Sequence, residues 1–159
     1  MAKIQSDQWL LPSLIDRLSR NVSKGIPTGG VSLRDLKESV RRDLENLLNT
    51  RRRAASWPPN YEELEVSLYN YGIPDATCTN ASSAIEVQQF LRSIEEVIRR
   101  FEPRFKSVRV SLLESVASED RVLRFRVEGM LHAEPAPEPA AFDTEIEPGT
   151  GVFEVKCIA

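Results

Sequence analysis

Residues 99–110, "RRFEPRFKSVRV", change their hydrophobic periodicity at Pro103, and this change decides the fold. Before the proline, apolar residues recur every three or four positions, as on one face of a helix. After it, apolar and polar residues alternate with the period of two that is typical of a strand. Proline disfavours helical geometry in the residue before it, so the helix should end at Phe101 or Glu102. The stretch therefore predicts a helix that leads directly into a strand.

Two long amphipathic helices are predicted on the N-terminal side of this break. Residues 82–101 begin with a capping box from Ser83 to Glu86. Their apolar stripe consists of Val87, Leu91, Ile94, Val97, Ile98 and Phe101. Residues 32–52 have Ser32 as the predicted N-cap and an equally continuous stripe. That stripe consists of Leu33, Leu36, Val40, Leu44, Leu47 and Leu48.

A third helix is predicted over residues 60–72. Asn60 is its expected N-cap, and Leu64 and Leu68 fall on one face. Gly72 should end it, because glycine readily adopts the left-handed conformation that closes many helices.

In four segments after Pro103, apolar and polar residues alternate, as they do in half-buried strands. They are residues 107–116, 121–132, 140–147 and 151–159, with a proline-rich link at 133–139. Short turns between them favour antiparallel pairing. The sequence thus predicts an α+β fold in which N-terminal helices pack on one face of a C-terminal antiparallel sheet of about four strands.

The predicted domain covers residues 31–159, and residues 1–30 should form a short helix followed by a linker. This first helix has an apolar face made of Leu10, Leu11, Leu14, Ile15 and Leu18. Two interpretations of that face stay open: it docks on another protein, or it packs on its own domain.

Composition argues against several classes of function. The chain has 159 residues, 41% of them hydrophobic and 28% charged, without an apolar run long enough to span a membrane or a secretory signal. We therefore expect a cytoplasmic protein with no direct membrane insertion. Residues 1–60 contain 11 basic and 6 acidic residues, an excess too small to indicate nucleic-acid binding in the absence of a motif.

No catalytic, metal or cofactor site is predicted. Cys78, Cys157 and His132 are too few and too scattered to form a metal site. The 24 acidic residues show no spacing that would select a catalytic pair, and phosphate loops and nucleophile elbows do not occur. The residues thus favour an interaction or structural protein over an enzyme.

Five segments give the chain a resemblance to a known family. They are "LLPSLIDRL" (10–18), "SVRRDLENLLNTRR" (39–52), "NYGIPD" (70–75), "IRRFEPRFKSVRV" (98–110) and "FDTEIEPGTGVFEV" (142–155). In order and character they resemble the TssE family of type VI secretion baseplate subunits. That family is similar to wedge proteins of contractile phage baseplates, and its wider family carries a lysozyme-like label.

The resemblance implies a non-catalytic structural subunit of the baseplate, at the cytoplasmic face of the inner membrane. Glu102, Pro103 and Arg104 match its Glu-Pro-Arg motif, which implies that they join the wedge core formed by TssF and TssG, with TssK as a further candidate partner. The sheet is implied to initiate the contractile sheath of TssB and TssC. The residues alone leave an alternative open, in which Glu102 and Arg104 pair within the domain.

An added sheath strand would need a free sheet edge, and the last strand is the candidate. Its predicted sheath-binding residues are Phe153, Glu154, Val155, Lys156 and Cys157. The strand near Ala141 and that at 108–112 are the alternatives. We expect Lys156→Pro to block strand addition and Lys156→Ala to have little effect.

Two other functions remain open at this point. The lysozyme-like label implies a peptidoglycan-cleaving enzyme, whose substrate would lie outside the cytoplasm. A phage-tail or other contractile-injection baseplate wedge protein would do the same mechanical work in another system.

Overall fold

The computed structural model describes residues 32–53, 57–58, 60–74, 83–113, 123–133, 136–146 and 150–158, which form helices followed by a sheet. The helices are α1 (Leu33–Leu48), α2 (Glu63–Val66) and α3 (Ala84–Phe101), with a 3₁₀ turn at Leu68–Asn70. The strands are β1 (Phe105–Leu112), β2 (Leu123–Leu131), β3 (Glu138–Ile146) and β4 (Phe153–Ile158). The predicted α+β class is confirmed. Within the described ranges, none of the helices is both long and apolar enough to cross a bilayer.

Both long helices begin at the serines that the sequence predicts. The Ser32 hydroxyl accepts a hydrogen bond from the Asp35 N–H at 3.2 Å, and the Ser83 hydroxyl accepts one from the Glu86 N–H at 3.4 Å. Each bond satisfies one of the backbone donors that a helix start leaves free. Helix α3 ends at Phe101, as Pro103 predicts.

The third predicted helix, over residues 60–72, is largely wrong. Only Glu63–Val66 is α-helical, and Asn60 is not its N-cap. Ser67 adopts an extended conformation and its hydroxyl donates to the Leu64 carbonyl oxygen at 2.8 Å, which turns the chain out of the helix. Leu68, predicted on the apolar face, is 86% exposed.

Gly72 allows this segment to meet the end of α1. It has φ of 107°, and a Cβ at this position would lie 2.3 Å from the Thr50 carbonyl oxygen. The Ile73 N–H donates to that same oxygen at 2.9 Å, and the Arg52 N–H donates to the Ile73 carbonyl at 2.8 Å. Glycine is therefore required here by both the backbone angle and the close approach.

The sheet is an antiparallel meander with strand order β1-β2-β3-β4. Helices α1 and α3 cover one face, as predicted, and the alternation of the strands directs their apolar side chains toward the helices. The core contains Leu36, Val40, Leu44, Leu48, Ile94, Ile98, Phe125, Val127, Leu131, Phe142, Phe153 and Val155. Burial of each such side chain contributes roughly 1.5–3 kcal/mol.

Strand β3 starts earlier than predicted, at Glu138, and includes Pro139 from the expected link. Pro139 lies opposite Met130 of β2, and its nitrogen faces the side of β4. The last pair between β3 and β4 is Ala141 with Ile158, so the described β4 does not reach Pro139. The missing N–H therefore costs no bond to β4, and the proline is tolerated in an interior strand.

The Thr144 hydroxyl is a buried polar group of the core that lacks a hydrogen-bond partner among the described residues. Thr144 is fully buried between Phe125 and Val155, its neighbours on the adjacent strands, and its Oγ1 has no hydrogen-bond partner among the described residues. A buried hydroxyl without a partner lowers stability.

We predict that Thr144→Val raises the free energy of unfolding by about 1 kcal/mol, because it removes the unsatisfied hydroxyl at nearly constant volume. Thermal unfolding should show a melting temperature higher by roughly 2–4 °C. Thr144→Ser is the matched control, since it keeps the hydroxyl and loses the methyl group, and it should lower stability. A valine variant that melts below the parent would contradict the prediction.

Candidate functional site

The α3–β1 junction, residues 101–105, is a tight turn around the Glu-Pro-Arg motif. Glu102 caps α3, and its N–H donates to the Ile98 carbonyl oxygen at 2.9 Å. The Phe105 N–H then donates to the Glu102 carbonyl at 3.2 Å, which closes the turn as β1 begins. Pro103 is exposed at its tip. Helix and strand are thus joined without a flexible linker.

Glu102 and Arg104 bind each other across Pro103. The Arg104 Nε donates to Glu102 Oε1 at 2.6 Å, and Nη2 donates to Oε2, so that the planar guanidinium and the carboxylate form a bidentate pair. The Arg104 backbone N–H also donates to Oε1 at 3.3 Å. Glu102 is only 5% exposed.

The same guanidinium reaches across to α1. Its Nη1 donates to Ser39 Oγ at 3.1 Å, and its Nη2 donates to Asp43 Oδ2 at 2.6 Å. Four of the five guanidinium N–H groups of Arg104 therefore have partners within the domain. Arg104 connects the end of α3, the start of β1 and the middle of α1.

The charges in this cluster hold Arg104 in its ionised form. Burial alone would lower the pKa of Arg104, but the bonds to Glu102 and Asp43 outweigh it and raise the pKa. Tyr71 lies nearby, and its pKa is raised chiefly by burial and then by the negative charges of Asp43 and Glu102. Arg42 Nε approaches Asp43 Oδ1 at 4.0 Å and adds a second cation at the margin of the cluster.

Glu102 and Arg104 thus make the intramolecular pair that the sequence left open as an alternative. Of the three predicted wedge-contacting residues, only Pro103 is exposed, while Arg104 and Asp43 keep 22% and 25% of their side chains accessible. Contact of this segment with a partner stays a prediction. The predicted docking helix at residues 10–18 lies outside the described residues, and the proposed division at residue 30 also stays a prediction.

Strand β4, the predicted sheath-binding strand, lies at an edge of the described sheet. We call the side of β4 that faces away from β3 the β4 edge. The Phe153 N–H donates to Asn49 Oδ1 at 2.9 Å, and the Phe153 carbonyl accepts from Asn49 Nδ2 at 2.9 Å. The Val155 carbonyl accepts from Arg41 Nη1 at 3.2 Å. Side chains of α1 therefore already occupy part of this edge.

The direction of these bonds corrects the choice of Lys156 as a test position. Backbone groups alternate sides along a strand, so the outward bonds of Phe153 imply that Lys156 directs its N–H toward β3, opposite Asp143. Lys156→Pro would break the β3–β4 pairing, so this substitution is unsuitable as a test of the free edge, and its effect on sheath assembly stays a prediction. Cys157 directs its N–H outward and is exposed.

The two alternative strands differ in position. The strand containing Ala141 is β3, which is paired on both sides and offers no free edge. Strand β1 is the other edge, where the Val110 N–H donates to Glu95 Oε2 of α3 at 3.1 Å. Each edge is thus partly capped by a side chain from the helix beside it.

Sequence reasoning missed the residues of α1 that complete the site. Ser39 and Asp43 interrupt or border the apolar stripe of α1 at a spacing of four, which places two polar groups on one side of the helix next to the core. Asn49 directly follows the last turn, where an asparagine often caps a helix. Both signals indicated a polar partner, but they could not identify it.

A family model described as baseplate wedge protein gp25 matches residues 34–136. The chain belongs to this family. The matched range includes α1, the junction, β1 and β2, so the resemblance drawn from the sequence motifs is confirmed at the level of this family of structural baseplate proteins.

A solved structure and the curated sequences give two further results. A chain from "The baseplate complex from the type VI secretion system" is similar, with 16% sequence identity and a TM-score of 0.47. The alignment covers 79% of this chain and 96% of that chain. No curated protein sequence matches this baseplate wedge protein.

We predict that Arg104→Ala destabilises this baseplate wedge protein by about 3 kcal/mol, because it leaves the buried Glu102 carboxylate unpaired. Denaturant unfolding measures the change. Arg99→Ala is the control. Arg99 pairs with Glu95 on the exposed side of α3, and loss of this exposed pair should lower the free energy of unfolding by about 0.5 kcal/mol or less. Equal losses in the two variants would contradict the prediction.

A second prediction concerns stability at high pH. Because the folded state raises the pKa of Tyr71 above its usual 10.0, the unfolded chain releases this proton first, and stability should fall as pH rises through and above 10. Tyr71→Phe cannot titrate, so its unfolding free energy should fall less between about pH 9 and 12. Tyr69→Phe, at an exposed position, is the control. Identical pH profiles for the parent and Tyr71→Phe would contradict this mechanism.

Proposed function

We propose that this chain is the TssE-type subunit of a type VI secretion baseplate, a non-catalytic structural protein that joins the wedge core and initiates the contractile sheath. The observation that carries the proposal is the α3–β1 junction. A Glu-Pro-Arg motif within a baseplate wedge protein forms a turn that Arg104 fixes to α1 at Asp43 and Ser39.

The exposed part of the junction is the proposed contact with TssF and TssG. Pro103 presents a rigid apolar ring, and the accessible parts of Asp43 and Arg104 lie on the same structure. With most of its donors engaged internally, Arg104 would act mainly by holding the shape of this surface. A partner that fits the fixed turn avoids the entropy cost of ordering a flexible loop.

The β4 edge is the proposed attachment for the sheath proteins TssB and TssC. Strand addition at an edge gains main-chain hydrogen bonds, and it requires outward N–H and C=O groups. Cys157 supplies such groups near the end of β4. We place the protein, through the baseplate, at the cytoplasmic face of the inner membrane, with TssK as a further candidate neighbour.

A structural role also agrees with the state of the carboxylates at the junction. A glycosidase needs one carboxyl group free to give a proton and a second to act on the sugar or water. Asp43 and Glu102, which the fold brings together, both bind the Arg104 guanidinium. The most conspicuous acidic pair of the described fold is therefore occupied by a structural cation.

We predict that Pro103→Ala keeps the fold but reduces co-purification with TssF and TssG several-fold, because the surface loses its rigid tip. The measurement compares the retained fraction with that of Pro58→Ala, which changes another exposed proline, outside the junction. Equal retention of both folded variants by TssF and TssG would contradict the proposed contact. Association with phage-tail baseplate proteins in place of TssF and TssG would instead indicate the other contractile system.

For sheath initiation we predict that Cys157→Pro blocks nucleation of TssB–TssC sheaths while co-purification with TssF and TssG persists. Proline removes an outward N–H at an exposed edge position without removing a bond to β3. Cys157→Ala keeps the N–H and should nucleate sheaths as the parent does. If the folded proline variant also nucleates normally, strand addition does not occur at this part of β4.

A further inference from the structure

The Asn49 side chain takes the place of one residue of an additional strand beside β4. Its amide accepts from the Phe153 N–H and donates to the Phe153 carbonyl, both at 2.9 Å. A directly opposed residue on an antiparallel neighbour would make the same two hydrogen bonds. Helix α1 therefore satisfies Phe153 as a neighbouring strand would, but with a single side chain.

The β4 edge consequently has a capped half and an open half. Arg41 extends the cap, because its Nη1 donates to the Val155 carbonyl at 3.2 Å. The Val155 N–H, between the groups held by Asn49 and Arg41, also points outward, and beyond the Val155 carbonyl both backbone groups of Cys157 do so; none of these three groups has a partner within the described ranges. The open half lies at the C-terminal end of β4.

We propose that the β4 edge accepts an extended segment of another chain in two stages. The segment first pairs with the open half at Cys157, and it then displaces Arg41 from Val155 and Asn49 from Phe153. This inference rests on the proposed function, since it describes how the edge would accept a sheath arm.

Exchange of the cap for a strand is nearly balanced in hydrogen bonds. The two neutral bonds between Asn49 and Phe153 would be replaced by two bonds of the same kind, and the charge-assisted bond from Arg41 to the Val155 carbonyl by one neutral bond, so the net free-energy cost of removing the cap is modest. Until a segment arrives, the cap prevents Phe153 from pairing with unrelated strands, which is the hazard of an open edge. The cap thus makes the edge selective without closing it.

The charges beside the edge indicate which segment fits. Side chains of an added strand that point toward the helices would lie next to Arg41, which Glu38 and Glu45 bind at 2.8 and 2.9 Å. Around Arg41 the two carboxylates exceed the one guanidinium and leave a local negative excess beside the capped half, whereas Lys37 of α1 lies beside Ile158 at the C-terminal end of β4. The partner that we infer is therefore an extended, proline-free segment with a lysine or arginine directed toward α1.

Amide hydrogen exchange of the full chain, followed by NMR, tests the cap directly. The Phe153 amide should be protected in the parent and should exchange about tenfold faster in Asn49→Ala, because it loses its acceptor. Asn46→Ala, at an exposed position on the same helix, should match the parent. Equal Phe153 exchange in the parent and Asn49→Ala overturns the cap. Asn49→Asp provides a second variant, since it keeps an acceptor for the Phe153 N–H and loses the donor to its carbonyl.

Sheath nucleation with purified TssB–TssC as the probe tests the second stage. Asn49→Ala and Asn49→Asp should nucleate sheaths at a several-fold lower concentration than the parent, and Asn46→Ala should not differ from it. If the parent nucleates and the folded Asn49 variants nucleate equally or more weakly, displacement of the cap is overturned while the proposed function stands. If the parent does not nucleate sheaths, the proposed sheath initiation is wrong. The amide hydrogen exchange rate of Phe153 then still shows whether Asn49 caps the β4 edge.

Discussion

The guanidinium of Arg104 is the constraint on which the arrangement of the described domain depends. It joins Glu102 at the end of α3 to Ser39 and Asp43 on α1, two segments about sixty residues apart in the chain. Its own backbone carbonyl accepts from the His132 N–H at 2.8 Å, just beyond the end of β2. One residue therefore fixes both helices and the first strand pair relative to one another. Once the junction and the β1–β2 pair are fixed, β3 and β4 extend the same antiparallel meander.

Holding this junction with charged side chains has a high desolvation cost. Removing charged groups from water costs several kcal/mol per ion, and apolar residues of similar volume often stabilise a core as well or better. What the cluster adds is geometry, because a planar guanidinium with four engaged donors permits few arrangements of its partners. A fixed geometry matters most for a turn that another protein must recognise, and this agrees with a motif that stabilises the domain and shapes its surface at once.

Features that depend on neighbouring residues in the chain were predictable from the sequence. The N-caps at Ser32 and Ser83, the end of α3 before Pro103 and the alternation of the strands all follow from local chemistry. Ser67 shows the limit of this approach: its hydroxyl competes for a helix carbonyl, and the periodicity of the segment did not reveal that. The partners of Arg104 and Phe153 lie on α1, 61 and 104 residues away, and no local pattern connects them. The sequence therefore identified the motif but not the residues that complete it.

The register of the sheet sets the distance between the two proposed contact surfaces. Cys157 pairs with Phe142, Phe142 pairs with Val127, and Val127 pairs with Val110, so Cys157 is level with a residue five positions along β1 from Phe105. Three strand spacings across the sheet and five residues along it separate the junction from Cys157 by roughly 20 Å. Because β4 runs antiparallel to β1, the open half is still nearer to the junction than the capped half, which Asn49 holds. A sheath arm that enters at Cys157 would therefore advance away from the junction, so the wedge contact and strand addition would use separate surfaces and could occur at the same time.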